Sequence, residues 1–457
     1  MKLYCPRIIY IIIRYKGISM NKKLQMPGLF DQLCSAAALF PDKREGKNIQ
    51  YSLETFVMTA FSAFFIQCPS FNSHKALTDQ LGENGNASNL FGLDQIPSHN
   101  QMRNVLDGVS PDYLVSVYDG IFCSLDRSGI LRGLRGFEDD ILIVLDGAQY
   151  FSSKSISCEN CSVKEHRNGT VTYHHSVLMS AIVVPWDNMA IPLAPEFITP
   201  QDGSSKQDCE INAGKRWTDD FRRRHKKVQA TLLGDDLYSR QPMCEKVLKN
   251  RLNFIFICKP SSHSTLYKWL DMLEKGGDLS TKTVRRRNGR YHETDIYKYA
   301  NDVPLRGGNG ALMVNWAEIT TVNETNGKVL YHNSFVTNHK ITENNVEAVA
   351  AAGRCRWKVE NEGINTLKNH GYNLEHNYGH GGKFLSSLLA SLILIAFLFH
   401  TILDIADGKY RMLRDILSSR KEFFNDIRAM IRYLRFNSLE ALFDFMISRL
   451  ERNYAPG

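Results

Sequence analysis

Ile141-Leu142-Ile143-Val144-Leu145 is an unbroken apolar run, rich in β-branched residues, that stops at Asp146-Gly147. A run without alternation predicts a central strand buried on both faces. Val228 to Leu233 repeats the pattern and stops at Gly234-Asp235-Asp236, and Asn253 to Cys258 is a third such run. Ser239 to Leu248, between the last two, has helical spacing. Both acidic stops are therefore expected at strand ends. Val171 to Val184, a Pro185–Asn188 turn and Met189 to Ile198 predict an antiparallel hairpin beside the first strand. A helix from about Lys206 to Arg224 follows, ending in Arg222-Arg223-Arg224-His225-Lys226-Lys227, cations that complement a helix C-terminus. The expected order is three antiparallel strands, a helix, and a strand that ends in Asp235.

Residues 27–135 read as helical. Ser52 to Gln67 is strongly apolar, and Ser98 is placed to cap a helix beginning at His99. This region reads either as a helix-turn-helix that touches DNA or as a bundle packed on the core. Past Lys259 the composition shifts. Ser264 to Lys275 is a helix, and two strand–turn–strand units carry Asn288-Gly289 and Asn326-Gly327, dipeptides suited to type I′ turns. Ser387 to Leu403 is apolar throughout and at the short limit for a bilayer span. Its place late in a polar chain favours a buried helix. Tyr410 to Leu450 is amphipathic and arginine-rich, suited to a helical cap, a DNA contact or a dimer face. Ile8 to Ile13 is too short to span and has no small-residue cleavage site, so a signal peptide is a poor fit.

Composition narrows the class. The chain has 457 residues, 43% of them apolar and 23% charged, which is a globular balance with room for two or three domains. A net charge of +8 suits a polyanionic partner without requiring one. Ten scattered cysteines, mostly in apolar surroundings, suggest reduced thiols and a cytoplasmic protein rather than a disulfide scaffold.

The chemistry concentrates around Arg356-Trp357-Lys358-Val359-Glu360-Asn361-Glu362. At 100° per residue, Arg356 and Glu360 share a face with Ile364 and Leu367, aimed at the body of the protein. Glu362 falls with Lys358, Thr366 and Asn369 on a polar face aimed at solvent, and Trp357 is expected in the core. A buried-side carboxylate needs a partner. A core-edge Arg–Glu pair would supply one. So would a metal site shared with Asp146 and Asp235, because carboxylates are hard oxygen ligands suited to Mg²⁺. Two such ions about 3.5–4 Å apart can activate water and stabilise the leaving oxygen of a phosphodiester.

Leu145-Asp146-Gly147, Gly234-Asp235-Asp236-Leu237-Tyr238-Ser239, Phe335-Val336-Thr337-Asn338 and Arg356-Trp357-x-Val359-Glu360 with Leu367-Lys368 together resemble the DDE transposases of bacterial insertion sequences. The likeness is to the subgroup with a β-rich insertion before the glutamate, and it covers about residues 140–380. The subgroup's Tyr and Lys positions are Gly353 and Leu367 here, with Lys368 next.

The resemblance implies an α/β (α+β) fold with an RNase H-like mixed-sheet core at 139–260 and 335–383. It places a β-rich insertion at 261–334, an N-terminal helical, DNA-end-binding region at 27–138 and C-terminal helices at 384–457, with 1–26 an extension outside the fold. It further implies Mg²⁺, replaceable by Mn²⁺, on Asp146, Asp235 and Glu360, with Asp236 and Glu362 as rival ligands. Phosphate contacts would come from Arg356 and Lys368. Double-stranded DNA would be the partner of a homodimer or larger assembly, in the bacterial cytoplasm. A nuclease without strand transfer and a non-catalytic DNA-binding protein are the alternatives.

Two further clusters stand out. Arg285, Arg286, Arg287 and Arg290 make one hairpin basic, for phosphate contact or for protection of a sheet edge. Cys158-x-x-Cys161, followed by His166 and by His174-His175, is half of a zinc signature, with Cys158, Cys161, His166 and His174 as the candidate ligands.

Overall fold

The computed structural model describes residues 21–46, 49–78, 85–200, 210–289, 291–417 and 419–453. The apolar run Ile8–Ile13, residues 206–209 at the expected helix start, and Arg290 lie outside the described residues. The fold is mixed α/β. Twelve strands form one sheet among the described residues: β1 (Arg135–Phe137), β2 (Asp140–Ser153), β3 (Ser162–Glu165), β4 (Val171–Val184), β5 (Asp187–Pro192), β6 (Glu196–Ile198), β7 (Ala230–Gly234), β8 (Asn253–Ile257), β9 (Ser280–Asn288), β10 (Tyr291–Pro304), β11 (Met313–Asn323) and β12 (Val329–Thr337).

Its centre runs β5-β4-β2-β7-β8. β4 is antiparallel to both β2 and β5, whereas β2, β7 and β8 are parallel. The parallel crossovers use the helices Glu210–Arg224 and Gln241–Lys249. The three unbroken apolar runs became these central parallel strands, as a sheet covered on both faces requires. Ile141 to Leu145 and all of β7 are buried.

β2 does not end at Asp146. It continues to Ser153, so this aspartate is mid-strand and the expected strand end is corrected. The long partner β4 carries β2 onward, pairing Asp146 with Met179 and Ser153 with Tyr173. The shorter strand on the other side, β7, does stop at Gly234, just before Asp235.

Residues beyond β8 extend the same sheet. Phe335–Thr337 at the end of β12 pair with Ile255–Ile257 of β8, and β11, β10 and β9 follow outward. β10 alternates buried and part-exposed positions, as a sheet with one face in solvent does. β9 is the edge strand.

The two faces of the centre hold different cores. Ile141, Ile143 and Leu145 face Trp217, Phe221, Met243 and the helices from both ends of the chain. Leu142, Val144, Leu233 and Ile255 face the helix Val346–Arg354 and Val359. On the first face the helix Leu53–Phe65 packs against Leu385–Ala406. Leu385–Ala406 is the one described helix long and apolar enough to cross a membrane, and 89% of its apolar window is buried within the protein. Ser98 accepts the Gln101 N–H at 3.3 Å and caps the helix His99–Leu106 as the sequence indicated. Two arginines of the tail turn inward: Arg411 donates to the Asp404 and Ile405 carbonyls, and Arg428 to those of Ile66 and Gln67. These two residues serve as caps within the fold, while Arg432 and Arg435 are exposed.

Candidate active site

Strand register brings the two aspartates together. β2 and β7 pair in parallel with Val144 opposite Leu233, so two residues further on Asp146 comes level with Asp235. Side chains two apart on a strand share a face. Asp146 therefore follows Leu142 and Val144 onto the face where the Val346–Arg354 helix and its continuation pack. That continuation carries Arg356 and Glu360. The Arg356 Nη1 lies 2.9 Å from Glu360 Oε1 and 3.8 Å from Asp146 Oδ2. One guanidinium thus links two carboxylates from distant parts of the chain. The Asp146 side chain is 15% exposed and that of Glu360 49%, so Asp146 is largely covered while Glu360 opens to solvent.

A fourth carboxylate joins them. Glu210 opens the helix Glu210–Arg224 on the opposite face of the sheet. Tyr238 donates its hydroxyl to Glu210 Oε1 at 2.8 Å, and the Gly147 backbone hydrogen-bonds the same carboxylate. A Cβ on Gly147 would come within 2.1 Å of Glu210 Oε2, so only glycine lets the carboxylate reach across the strand. Burial pushes the Asp146 carboxyl up to about 7; Arg356 opposes the rise, and Glu360, Glu210 and Asp235 reinforce it. Burial also raises Glu210. Sequence reading missed Glu210. Its only local signal was an acidic residue in a helix first turn, which is commonplace.

The rival acids have other partners. Asp236 accepts the Lys259 N–H at 2.7 Å and the Ser262 hydroxyl, fastening the turn after β8. Asp235 accepts only the local Leu237 N–H at 2.8 Å among its described hydrogen bonds. Glu362 is half-buried and acts electrostatically on Lys358 and Arg420, away from Asp146.

The helical-wheel projection needs correction at this point. Val359–Ile364 is a π-helical turn, which inserts an extra residue per turn and shifts every later side chain. Lys358, expected in solvent, is 4% exposed; its Nζ donates to the carbonyls of Val184, Asp187 (both 2.6 Å) and Pro185 (3.3 Å) at the β4–β5 turn. Glu360, expected on the body side, is the more open carboxylate. Trp357, expected in the core, is 39% exposed. Gly353 is explained by packing: a Cβ there would meet the Phe335 ring at 2.5 Å, so no tyrosine fits.

The remaining basic residues lie elsewhere. Lys368 pairs with Glu375 at 2.7 Å. Arg285 forms a two-pronged bridge to Glu324, and Arg286 reaches the buried Asp295 at 2.6 Å. Arg287 donates to the Gly289 carbonyl at 3.3 Å. On the edge strand β9 these charges are largely matched within the sheet.

Cys158 and Cys161 do come together, but with His175 and His380. The expected ligands His166 and His174 are corrected. His166 bonds the Thr172 hydroxyl at 2.9 Å, and His174, next to His175 on β4, points to the opposite face. The four clustered side chains could hold a metal ion. A cleft of about 770 Å³ opens beside this cluster, lined by Tyr118, Tyr150, His175, Arg216 and Lys383, and not beside the carboxylates.

Fold and site define a mixed α/β protein with a carboxylate cluster where the parallel pairing of β2 and β7 ends. Compared with models of protein families the chain matches none, and a comparison with curated proteins gives no match.

Proposed function

We propose that the chain is a Mg²⁺-dependent DNA transposase with Asp146, Asp235 and Glu360 as its metal ligands, on an RNase H-like core. The observation that carries this reading is that Arg356 links Asp146 of β2 to Glu360 of a late helix, while the β2–β7 register sets Asp235 level with Asp146. The β5-β4-β2-β7-β8 order, with one helix before β7, supports the RNase H-like assignment that the sequence resemblance implies. The donor set is of hard oxygens, the type that Mg²⁺ takes; burial first, and the neighbouring carboxylates after it, raise the Asp146 carboxyl, and a divalent cation would favour its charged form. Mn²⁺ would substitute.

Two bound ions would supply an activated water at neutral pH and Lewis acidity at the phosphodiester. The chain's own groups have separate tasks. Arg356 holds Glu360 against Asp146 and presents a fixed cation to a DNA phosphate. Glu210, reaching through the Gly147 gap, adds negative charge and braces Tyr238. Hydrolysis at a transposon end consumes one water and leaves a 3′-hydroxyl. That hydroxyl then attacks target DNA, one phosphodiester bond forming as another breaks. Two ends must be held together for this, so the active species is a dimer or larger on DNA.

The test is cleavage and joining of labelled DNA carrying the element's flanking ends, with Mg²⁺ or Mn²⁺. Asp146→Asn, Asp235→Asn and Glu360→Gln should each lower cutting on the order of 1,000-fold, while Glu362→Gln retains it. Cutting without joining would replace the reading with a nuclease. End binding without cutting would replace it with a DNA-binding protein.

A further inference from the structure

We infer that Cys158, Cys161, His175 and His380 form a structural zinc site that pins three separate segments of the chain. The inference is independent of the DNA chemistry proposed above. The four ligand atoms are Cys158 Sγ, Cys161 Sγ, His175 Nε2 and His380 Nε2, all within 4.8 Å of one another. Zinc bound by two sulfurs at about 2.3 Å and two nitrogens at about 2.0–2.1 Å makes a tetrahedron with edges of about 3.8 Å (S to S), about 3.5 Å (S to N) and about 3.3 Å (N to N). The observed edges are 3.8 Å for the sulfurs, 3.5, 3.4 and 3.4 Å for three sulfur–nitrogen pairs, and 3.2 Å for the nitrogens. A disulfide does not explain this, since bonded sulfurs lie at about 2.0 Å.

Hydrogen bonding around the cluster points the same way. His380 Nδ1 lies 2.9 Å from the Gly381 carbonyl, so that nitrogen carries the proton and Nε2 presents a lone pair. It faces His175 Nε2 and two sulfurs, an assembly of electron-rich atoms that a cation completes. Cys161, His175 and His380 are buried, as suits four protein ligands that close a structural site.

The site's position gives its purpose. The cysteines lie between β2 and β3, His175 is on β4, and His380 is in the loop between Lys368 and the helix Leu385–Ala406. Asp107, at the end of the helix His99–Leu106, grips the same loop through the Gly382, Lys383 and Leu385 N–H groups at 2.9, 3.0 and 3.1 Å. Zinc there ties the long β2–β4 ribbon to the start of the buried helix.

Full-length protein purified without chelator should carry about one zinc per chain by elemental analysis. Cobalt exchanged into the site should show the strong visible and thiolate charge-transfer bands of tetrahedral sulfur coordination. Cys161→Ser and His380→Ala should lose the metal, whereas His166→Ala and His174→Ala keep it. Chelator-stripped wild type should melt at a lower temperature than the holo form. Wild-type protein that neither carries zinc nor takes up cobalt overturns the inference, whether or not the variants fold. So does loss of metal from His174→Ala with retention in His380→Ala.

Discussion

At the scale of single residues, the site depends on close approaches more than on charge alone. Gly147 is the clearest case. Its missing Cβ is the space into which the Glu210 carboxylate reaches, beside Asp146 on β2. Gly147→Ala should therefore displace a flexible carboxylate while leaving the β2 ladder intact. The expected result is end cleavage reduced on the order of 10-fold or more with a melting temperature close to wild type, read by DNA cleavage beside thermal unfolding. A large drop in melting temperature would show that the glycine serves the strand and not the cluster. The Asp146-Gly147 pair was legible in the chain as a stop in an apolar run. What the glycine makes room for was not, because Glu210 arrives from the other face of the sheet.

At the scale of elements, the helix that carries Arg356 and Glu360 shows how far a periodic reading reaches. The Arg356–Glu360 pairing one turn apart was visible and is present. The placement of Glu362 was not, because a π turn breaks the 100° count after Val359; Trp357 and Lys358 lie before it, just past a turn at Cys355–Arg356 that interrupts the helix Val346–Arg354. Lys358 anchors the π turn by giving its three N–H donors to carbonyls of the β4–β5 hairpin. Lys358→Met keeps much of the packing and removes those bonds. It should cost about 2 kcal/mol of stability and lower cleavage beyond that, since Glu360 is two residues away; denaturant unfolding and cleavage at matched folded fraction measure the two. The hairpins of residues 280–337 were recognisable from their Asn-Gly turns. That they extend the central sheet was decided by the pairing of Phe335–Thr337 with β8.

At the scale of the whole molecule, helices from the two ends of the chain close over one face of the sheet, and this common core carries a pH sensitivity. His74 is buried, its Nε2 2.9 Å from the Ser62 hydroxyl, and burial pushes its imidazole down to about 4. An unfolded histidine titrates near 6.5. The folded pKa is the lower one, so the unfolded chain binds the extra proton. Stability from this group is complete above about 6.5 and is lost progressively as pH falls from there toward about 4, by at most about 3 kcal/mol. Thermal unfolding of wild type across that window should show the decline, and His74→Gln should flatten it. An unchanged slope in the variant would assign the acid sensitivity to other groups.

The sequence by itself determined the local layers of this protein. Short apolar runs rich in β-branched residues and stopped by turn residues fit strands buried on both faces, a 17-residue apolar stretch in a polar chain is best buried, and Ser98 before His99 is a cap; each rests on contacts within a few residues or on solvent alone. Tertiary structure decided everything that depends on which distant segments meet. It set the β2–β7 register that levels Asp146 with Asp235 and brought Glu210 through the Gly147 gap. It matched Arg285 and Arg286 to Glu324 and Asp295, and exchanged His166 and His174 for His175 and His380 around the cysteine pair. A ligand set is a statement about atoms a few ångströms apart, and spacing along the chain limits such distances only within a single element.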